Sequence, residues 1–276
     1  RPHGATTYDQ RNLSFKGLDR VSLASLQGRQ VIGLVYGEYQ AERFDRIKGQ
    51  CDLVHRNGKF FLMATVDFPE APPLEVKDFI GVDLGIVNLA TDSTGEAFSG
   101  ESVDRNRRRR ATARKQHQRK GTRGAKRKLK RMAGRQRRFQ TTENHRISKR
   151  LVEKAKALHI GIALEDLTGI RDRVETTVSR AFRRRFGNWS FFQLRQFMEY
   201  KARLVGIPVV EVNPRNTSRT CSACGHCAKA NRKSQADFLC KHCGFSLNAD
   251  LNAALNLRAK ALGPPCNPAP KVAASR

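Results

Sequence analysis

The 276-residue chain has no run of 18 apolar residues, which excludes a transmembrane helix. It opens on Arg1 without an apolar signal segment, so secretion is not indicated. A cytoplasmic location is expected, nucleoid-associated in a prokaryote. Acidic residues are scarce: 25 Asp plus Glu stand against 53 Lys plus Arg, for a net charge of +28 and a pI near 10.7. So large an excess points to a polyanion partner, most simply nucleic acid, and not to a membrane. Between Asp104 and Glu143 there is no acid at all. Residues 105–138 hold 18 Lys plus Arg, leaving +10 for the rest of the chain. The seven cysteines are odd in number, which argues against a fully paired disulfide framework. Internal repeats are absent as well. What is present is a hydrophobic fraction of 39%, enough for a packed core, and a length that fits one large domain or two smaller ones.

Residues 1–76 are strand-rich. GQCDLVHRNGKFFLMATVDFP reads as a hairpin turning at Asn57-Gly58, VIGLVYGEY (31–39) as a further strand, and Pro69, Pro72 and Pro73 as a linker. FIGVDLGIVNLATDSTG then predicts strand, tight turn, strand. The basic run 105–138 predicts a mostly solvated helix pair with breaks at Gly121, Gly124 and Gly134. ISKRLVEKAKAL (147–158) is an amphipathic helix and GIALEDL (161–167) a buried strand ending in acids. Residues 171–188 are basic and irregular. WSFFQLRQFMEYKARL (189–204) is a second amphipathic helix, with Trp189, Phe192, Phe197 and Leu204 as core candidates. IPVVEVNP (207–214) is a strand. Residues 248–262 form a helix capped by Asn248 and ended by Gly263-Pro264-Pro265. A disordered tail, 263–276, follows.

Two motifs carry chemistry. CSACG (221–225) and CKHCG (240–244) place Cys221, Cys224, Cys240 and Cys243 in two knuckles at the spacing of a four-cysteine zinc ribbon. Gly225 and Gly244 permit the positive φ a knuckle favours, whereas Ala228 follows Cys227 and argues against Cys227 as a ligand. A closed set of four thiolates makes the zinc structural. Three acids in separated segments form the second motif: Asp83 on the first apolar strand, Glu165 at the end of IALE, Asp250 at the start of the last helix. Carboxylates on apolar strands are costly to bury unless they bind cations or bases. Three of them suit two Mg²⁺ ions hydrolysing a phosphodiester. Asp92, Asp104 and Asp166 are rivals on these grounds.

GVDLGIVNLATDSTG, IALEDLTGI and NPRNTSRTCSACG with CKHCGFSLNADLNAALNL together resemble the TnpB (OrfB) proteins of insertion-sequence transposons, RNA-guided DNA endonucleases related to type V CRISPR nucleases. The resemblance runs over residues 1–262. It implies an α/β, RNase H-like (RuvC) nuclease over 77–262, containing the basic helical stretch 105–158 and a zinc ribbon insertion at 214–247, preceded by part of a β-rich wedge domain (1–76) that grips guide RNA. It implies Asp83, Glu165 and Asp250 as catalytic acids holding magnesium, one structural zinc on the four cysteines, and two partners: guide RNA from the transposon end and double-stranded target DNA. Family members carry roughly a hundred more residues ahead of this start, so an N-terminal part is expected to be missing. The basic stretch suits a phosphate track, with Arg107, Arg108, Arg109, Arg110, Arg114, Lys115, Arg119, Lys126, Arg127 and Lys130 as contacts. Arg183 and Arg184, in the irregular segment, and Arg219, ahead of the first knuckle, are further phosphate candidates. His145 and His159 are expected to be ordinary helix residues. The competing functions are a catalytically impaired or repurposed RNA-guided DNA-binding protein and a transposase or transposase-associated accessory protein.

Overall fold

The computed structural model describes residues 4–56, 58–167 and 190–263. The chain divides into two compact units, Arg1–Pro69 and Glu70–Arg276. The boundary falls earlier than the expected residue 76 because the backbone of Leu74 already donates to the carbonyl of Gly206 in the second unit, at 2.7 Å.

The first unit runs β1 (Thr6–Tyr8), β2 (Leu13–Lys16), β3 (Arg20–Ser25), β4 (Gly28–Gly33), a single-turn helix α1 (Glu38–Ala41), β5 (Ile47–Arg56) and β6 (Lys59–Val66). These strands form two antiparallel three-stranded sheets, β1-β5-β6 and β2-β3-β4. Leu13, Val21, Leu23 and Cys51 are buried together, with Leu62 and Ala64 against them. Alternation is clearest along β6, whose burial alternates from Leu62 to Val66, whereas β4 is exposed along its whole length. The hairpin pairs Arg56 with Lys59 as its spacing requires; Asn57 lies outside the described residues. The expected strand 31–39 stops at Gly33. Gly37 then caps α1, because Gly37-Glu38-Tyr39 no longer alternates.

The second unit is built on β7 (Phe79–Asp83), β8 (Asn88–Asp92), β9 (Ala97–Ser99), helices α2 (Glu101–Lys120) and α3 (Arg123–Leu158), β10 (Gly161–Glu165), α4 (Phe191–Leu204), β11 (Val209–Val212), the ribbon strands β12 (Asp237–Leu239) and β13 (Ser246–Asn248), and α5 (Ala249–Ala261). The sheet order is β11-β10-β7-β8-β9. β7, β10 and β11 run parallel, and β8 and β9 are antiparallel to their neighbours. This is the RNase H-like arrangement. Ile80, Val82, Ile162 and Leu164 on the central strands are fully buried, as near-continuous apolar strands covered on both faces must be.

The basic stretch departs from expectation in one respect. It breaks once, at Gly121, whose φ of 65° ends α2, and Thr122 restarts the chain by accepting from the backbone of Ala125. Gly124 and Gly134 are absorbed inside α3, which continues through 147–158 as one helix of 36 residues, about 54 Å long. Its second half buries Asn144, Ile147, Ser148, Leu151, Val152 and Ala155; in its first half only Ala125 is buried. The apolar stripe holds the helix to the core and the basic half extends from it.

In α4 the buried residues are Phe191, Leu194, Met198 and Ala202. Phe192 is 66% exposed and Phe197 and Leu204 are half-buried, so the expected core positions give way to their neighbours on the helix. Trp189 lies outside the described residues, as do Arg183, Arg184 and the tail beyond Gly263. Among the described residues no helix is long and apolar enough to cross a membrane.

Candidate functional site

The three acids converge, and strand register does most of the work. β7 and β10 are parallel with Val82 opposite Leu164, so the next residues, Asp83 and Glu165, end side by side at the same edge of the sheet. A backbone amide fixes Glu165: Leu84 N–H donates to its Oε1 at 3.3 Å. Asp250 arrives from the helix that crosses β7. A Cβ on Gly81 would lie 2.0 Å from the carbonyl oxygen of Ala254 and 2.6 Å from the nitrogen of Arg258, so α5 touches the strand backbone there. Asp83 shares a face of β7 with Gly81, two residues away, and Asp250 shares a face of α5 with Ala254, four residues away. Sliding one residue pair up the strand and one turn up the helix therefore brings Asp83 to Asp250. Below the contact, Arg258 forms a two-pronged ion pair with Asp78 and fixes the other end of α5.

The electrostatics agree with this placement. Asp83 retains some exposure, but protein atoms crowd its carboxyl. Desolvation, then the charges of Glu165 and Asp250, push its pKa well above the usual value, and Arg232 partly opposes them. Three carboxylates facing one another form a donor set for hard divalent cations, whose charge would relieve the repulsion. Among the described residues, the four cysteines alone have ligand atoms mutually within 4.8 Å; the acids are more loosely grouped, as ligands shared between two ions would be.

Two residues of this site escaped sequence reasoning. Asn88, on β8, donates from Nδ2 to Asp250 Oδ2 at 2.9 Å. Nothing marks it in the sequence beyond being a polar residue where a strand begins. Arg232 comes from the ribbon, and its guanidinium is steered by the carbonyls of Ser234 and Gln235. The rival acids are otherwise engaged. Asp92, fully buried, binds Lys154 at 2.5 Å and accepts from Thr94 and Glu96. Asp104 is held by Arg107 and Arg108. The backbone N–H of Asp166 continues the sheet to Val212.

The cysteine motif folds as two matching knuckles. Cys221 N–H donates to His226 O and Gly225 N–H to Cys221 O; Cys240 N–H donates to Phe245 O and Gly244 N–H to Cys240 O. Gly225 and Gly244 both have φ of 75°. The sulfurs of Cys221 and Cys243 lie 3.7 Å apart and those of Cys224 and Cys240 3.6 Å. A tetrahedron with Zn–S bonds of about 2.3 Å has edges of about 3.8 Å, so the four thiols fit zinc. Cys227 is exposed and outside the cluster, and Cys51 belongs to the first unit's core. Two asparagines on α5, with a third at its cap, tie the ribbon to the helix that carries Asp250. Asn248 caps the helix. Asn252 accepts from Ser222 N–H and donates to Thr220 O. Asn256 donates to the carbonyls of Thr217 and Thr220. Asparagine is a poor helix former, and three of them at four-residue intervals was the signal available.

The expected nucleic-acid contacts spread along α2 and α3. Arg109, Lys115, Arg119, Lys126, Arg127 and Lys130 are exposed. Arg107 and Arg108 pair with Asp104, Arg110 donates to Met132 O at 2.7 Å, and Arg114 reaches Gln136. Arg219 is exposed, and its backbone carbonyl accepts from Asn231. His145 stacks on Phe197 at 3.9 Å, and His159, with φ of 55°, is the exposed left-handed residue that ends α3.

Two family profiles match the chain: "Probable transposase" (OrfB, IS605) over residues 63–170 and "Cas12f1-like, TNB domain" over 191–257. The CRISPR-associated endodeoxyribonuclease Cas12f1 of Sulfoacidibacillus thermotolerans is 33% identical over 242 residues, which cover 81% of this chain and 54% of the relative. A TnpB-like protein of Methanocaldococcus jannaschii is 37% identical over 129 residues, 47% of this chain and 45% of the relative. The chain thus spans about half the length of these curated relatives. Among solved structures, a Cas12f1-sgRNA-target DNA complex aligns with a TM-score of 0.54 at 18% identity, over 92% of this chain and 66% of the other; that likeness shows the fold.

Proposed function

The chain belongs to the TnpB (OrfB) family, and on that premise we propose that it is the nuclease part of a transposon-encoded, RNA-guided DNA endonuclease that hydrolyses phosphodiester bonds with divalent metal. The observation that carries this reading is the meeting of Asp83, Glu165 and Asp250 at one edge of the sheet, with the Asp83 pKa pushed up by burial and then by the charges of the other two. Like charges set against one another in this way serve no packing purpose. They are the arrangement expected where cations are to be bound.

Asp83, Glu165 and Asp250 would hold two Mg²⁺ ions, which supply activation of a water and stabilisation of the leaving oxygen. Asn88 orients the Asp250 carboxylate, and Leu84 N–H orients that of Glu165. Arg232 brings positive charge to the same site, suited to the scissile phosphate. One zinc on Cys221, Cys224, Cys240 and Cys243 holds the ribbon that carries Arg232. The exposed cations of α2 and α3 track the backbone of nucleic acid, with pairing to a guide RNA delegated the reading of sequence.

The test is cleavage of a target plasmid by protein purified with RNA from its own transposon end, in Mg²⁺. Cleavage is expected, and Asp83→Ala should reduce it to background. Cleavage that survives Asp83→Ala removes the catalytic assignment. Binding without cleavage in the unaltered chain supports a DNA-binding role in its place.

A further inference from the structure

We propose that the cleft between α2 and α3 is a pocket for one unpaired nucleotide of a bound strand, distinct from the acid site and more specific than a phosphate track. The inference rests on the nucleic-acid reading above. The cavity measures about 540 Å³ and is lined by Arg105, Asn106, Arg109 and Arg110 from α2, with Ala113 and Phe139 as its apolar walls. No carboxylate lines it. A neighbouring cavity of about 500 Å³ also borders Arg105 and Arg109, but there Glu101 and Asp104 face the space as well. Charge therefore selects the first cavity for an anion.

Behind the cavity the imbalance deepens. Arg110 spends one guanidinium N–H on Met132 O. Burial, with Arg135 and Arg138 nearby, makes its charge harder to hold and pulls its pKa down. Among the described residues no acid is paired with Arg109, Arg110, Arg135 or Arg138. Arg110 is half-buried while Arg109, Arg135 and Arg138 are exposed, and a cluster of like charges with one member partly desolvated is relieved by an anion brought from outside.

The cavity is also too roomy for a phosphate alone. Its volume lies in the range of about 300–1,000 Å³ typical of small-molecule pockets. Phe139 offers an aromatic wall, and base–aromatic contact is worth about 1–3 kcal/mol per base. The Asn106 amide can donate to and accept from a base edge. Arg105, one turn from Arg109 on the same helix face, is paired with Glu101; Arg109, which has no such pair, can reach the phosphate. Base, base edge and phosphate each find a counterpart. A duplex would present only its phosphates here, because paired bases are not free to enter.

The experiment measures fluorescence anisotropy of labelled oligonucleotides on the full chain in EDTA, so that no cleavage occurs. The probes are a 12-base-pair duplex and the same duplex with one bulged nucleotide, in DNA and RNA forms. The unaltered chain should bind the bulged probe about tenfold more tightly. Ala113→Trp, which fills the cavity without changing charge, should abolish that preference and leave duplex affinity unchanged. Arg127→Gln/Lys130→Gln, outside the cavity, should weaken both probes equally. A 5-iodouracil at the bulge should crosslink within 102–113 or at Phe139. Equal affinity for the two probes, or a preference that survives Ala113→Trp, overturns the proposal. So does displacement of the bulged probe by a free mononucleotide at matching affinity, which would assign the cavity to a free nucleotide. Circular dichroism melting of each variant separates lost binding from lost folding. Because binding is read without metal, a chain that binds the bulge but never cuts DNA sinks the endonuclease reading and leaves this one standing; a chain that cuts but ignores the bulge does the reverse.

Discussion

Asp83 is where function and stability pull against each other. Its raised pKa means that the folded chain holds the proton more readily than the unfolded chain does. The folded state is therefore penalised when Asp83 is ionised. In chelator, stability should fall as pH rises from the usual carboxylate value of 3.8 through the folded pKa, and the penalty should be complete above it. Asp83→Asn removes the charge and should raise the thermal midpoint at neutral pH in chelator by about 2–4 °C, while abolishing cleavage. A midpoint that falls, checked by calorimetry at matched pH, would show that Asp83 is held by contacts the like charges do not outweigh. The rival Asp92 behaves oppositely: burial pushes its carboxyl up, but Lys154 and the hydrogen bonds from Thr94 and Glu96 outweigh that and hold it below the usual range. From sequence alone the two acids looked similar, each near the end of an apolar strand. The partner that separates them, Lys154, lies 62 residues downstream of Asp92, beyond any local pattern.

The contact of α5 with β7 is the element on which the acid geometry depends. With the Ala254 carbonyl only 2.0 Å from where a Cβ would stand, any side chain at residue 81 must displace the helix. Gly81→Ala should cost about 3 kcal/mol, the upper end of ordinary overpacking, and should weaken divalent-ion binding as Asp250 leaves Asp83. Denaturant unfolding and isothermal titration with Mg²⁺ or Mn²⁺ would measure the two effects. Intact stability with unchanged ion binding would show that α5 can shift without loss. The ribbon is attached through the same helix by Asn252 and Asn256. Its strength follows from the four thiols, whose spacing in CxxC pairs is local and was legible at once. One zinc per chain is expected by mass spectrometry of the metal. Cys240→Ser should lower zinc content and melting temperature together; unchanged zinc content removes the assignment.

At the scale of the whole molecule, the +28 charge has a location. Most of it lies on two helices whose basic halves contribute little to the core, since only Val103 and Ala125 are buried between Glu101 and Gln140. A helix that buries almost nothing is kept for what its surface meets. Helix boundaries in this region were the least legible part of the fold. Gly124 and Gly134 each cost about 1 kcal/mol in a helix relative to Ala, and local reasoning counted them as breaks. The apolar stripe of the second half of α3, anchored by Ile147, Leu151 and Ala155, holds the helix in place, and the first half propagates from it despite those costs. The misplaced stripe in α4 has the same origin: a helix stripe is fixed by what it packs on, and periodicity alone placed Phe192 inside.

The sequence by itself determined the charge and its position, the thiol site, the strands that carry Asp83 and Glu165, and the cap that starts the helix of Asp250. Each of these follows from residues within one short segment, where spacing and side-chain chemistry act directly. Tertiary structure alone decided that Asp83, Glu165 and Asp250 meet, that Asp92 does not join them, and that Asn88 and Arg232 do. Those outcomes rest on strand register, on a helix pressed against Gly81, and on charges brought together from distant segments, and none is encoded in any one stretch of chain.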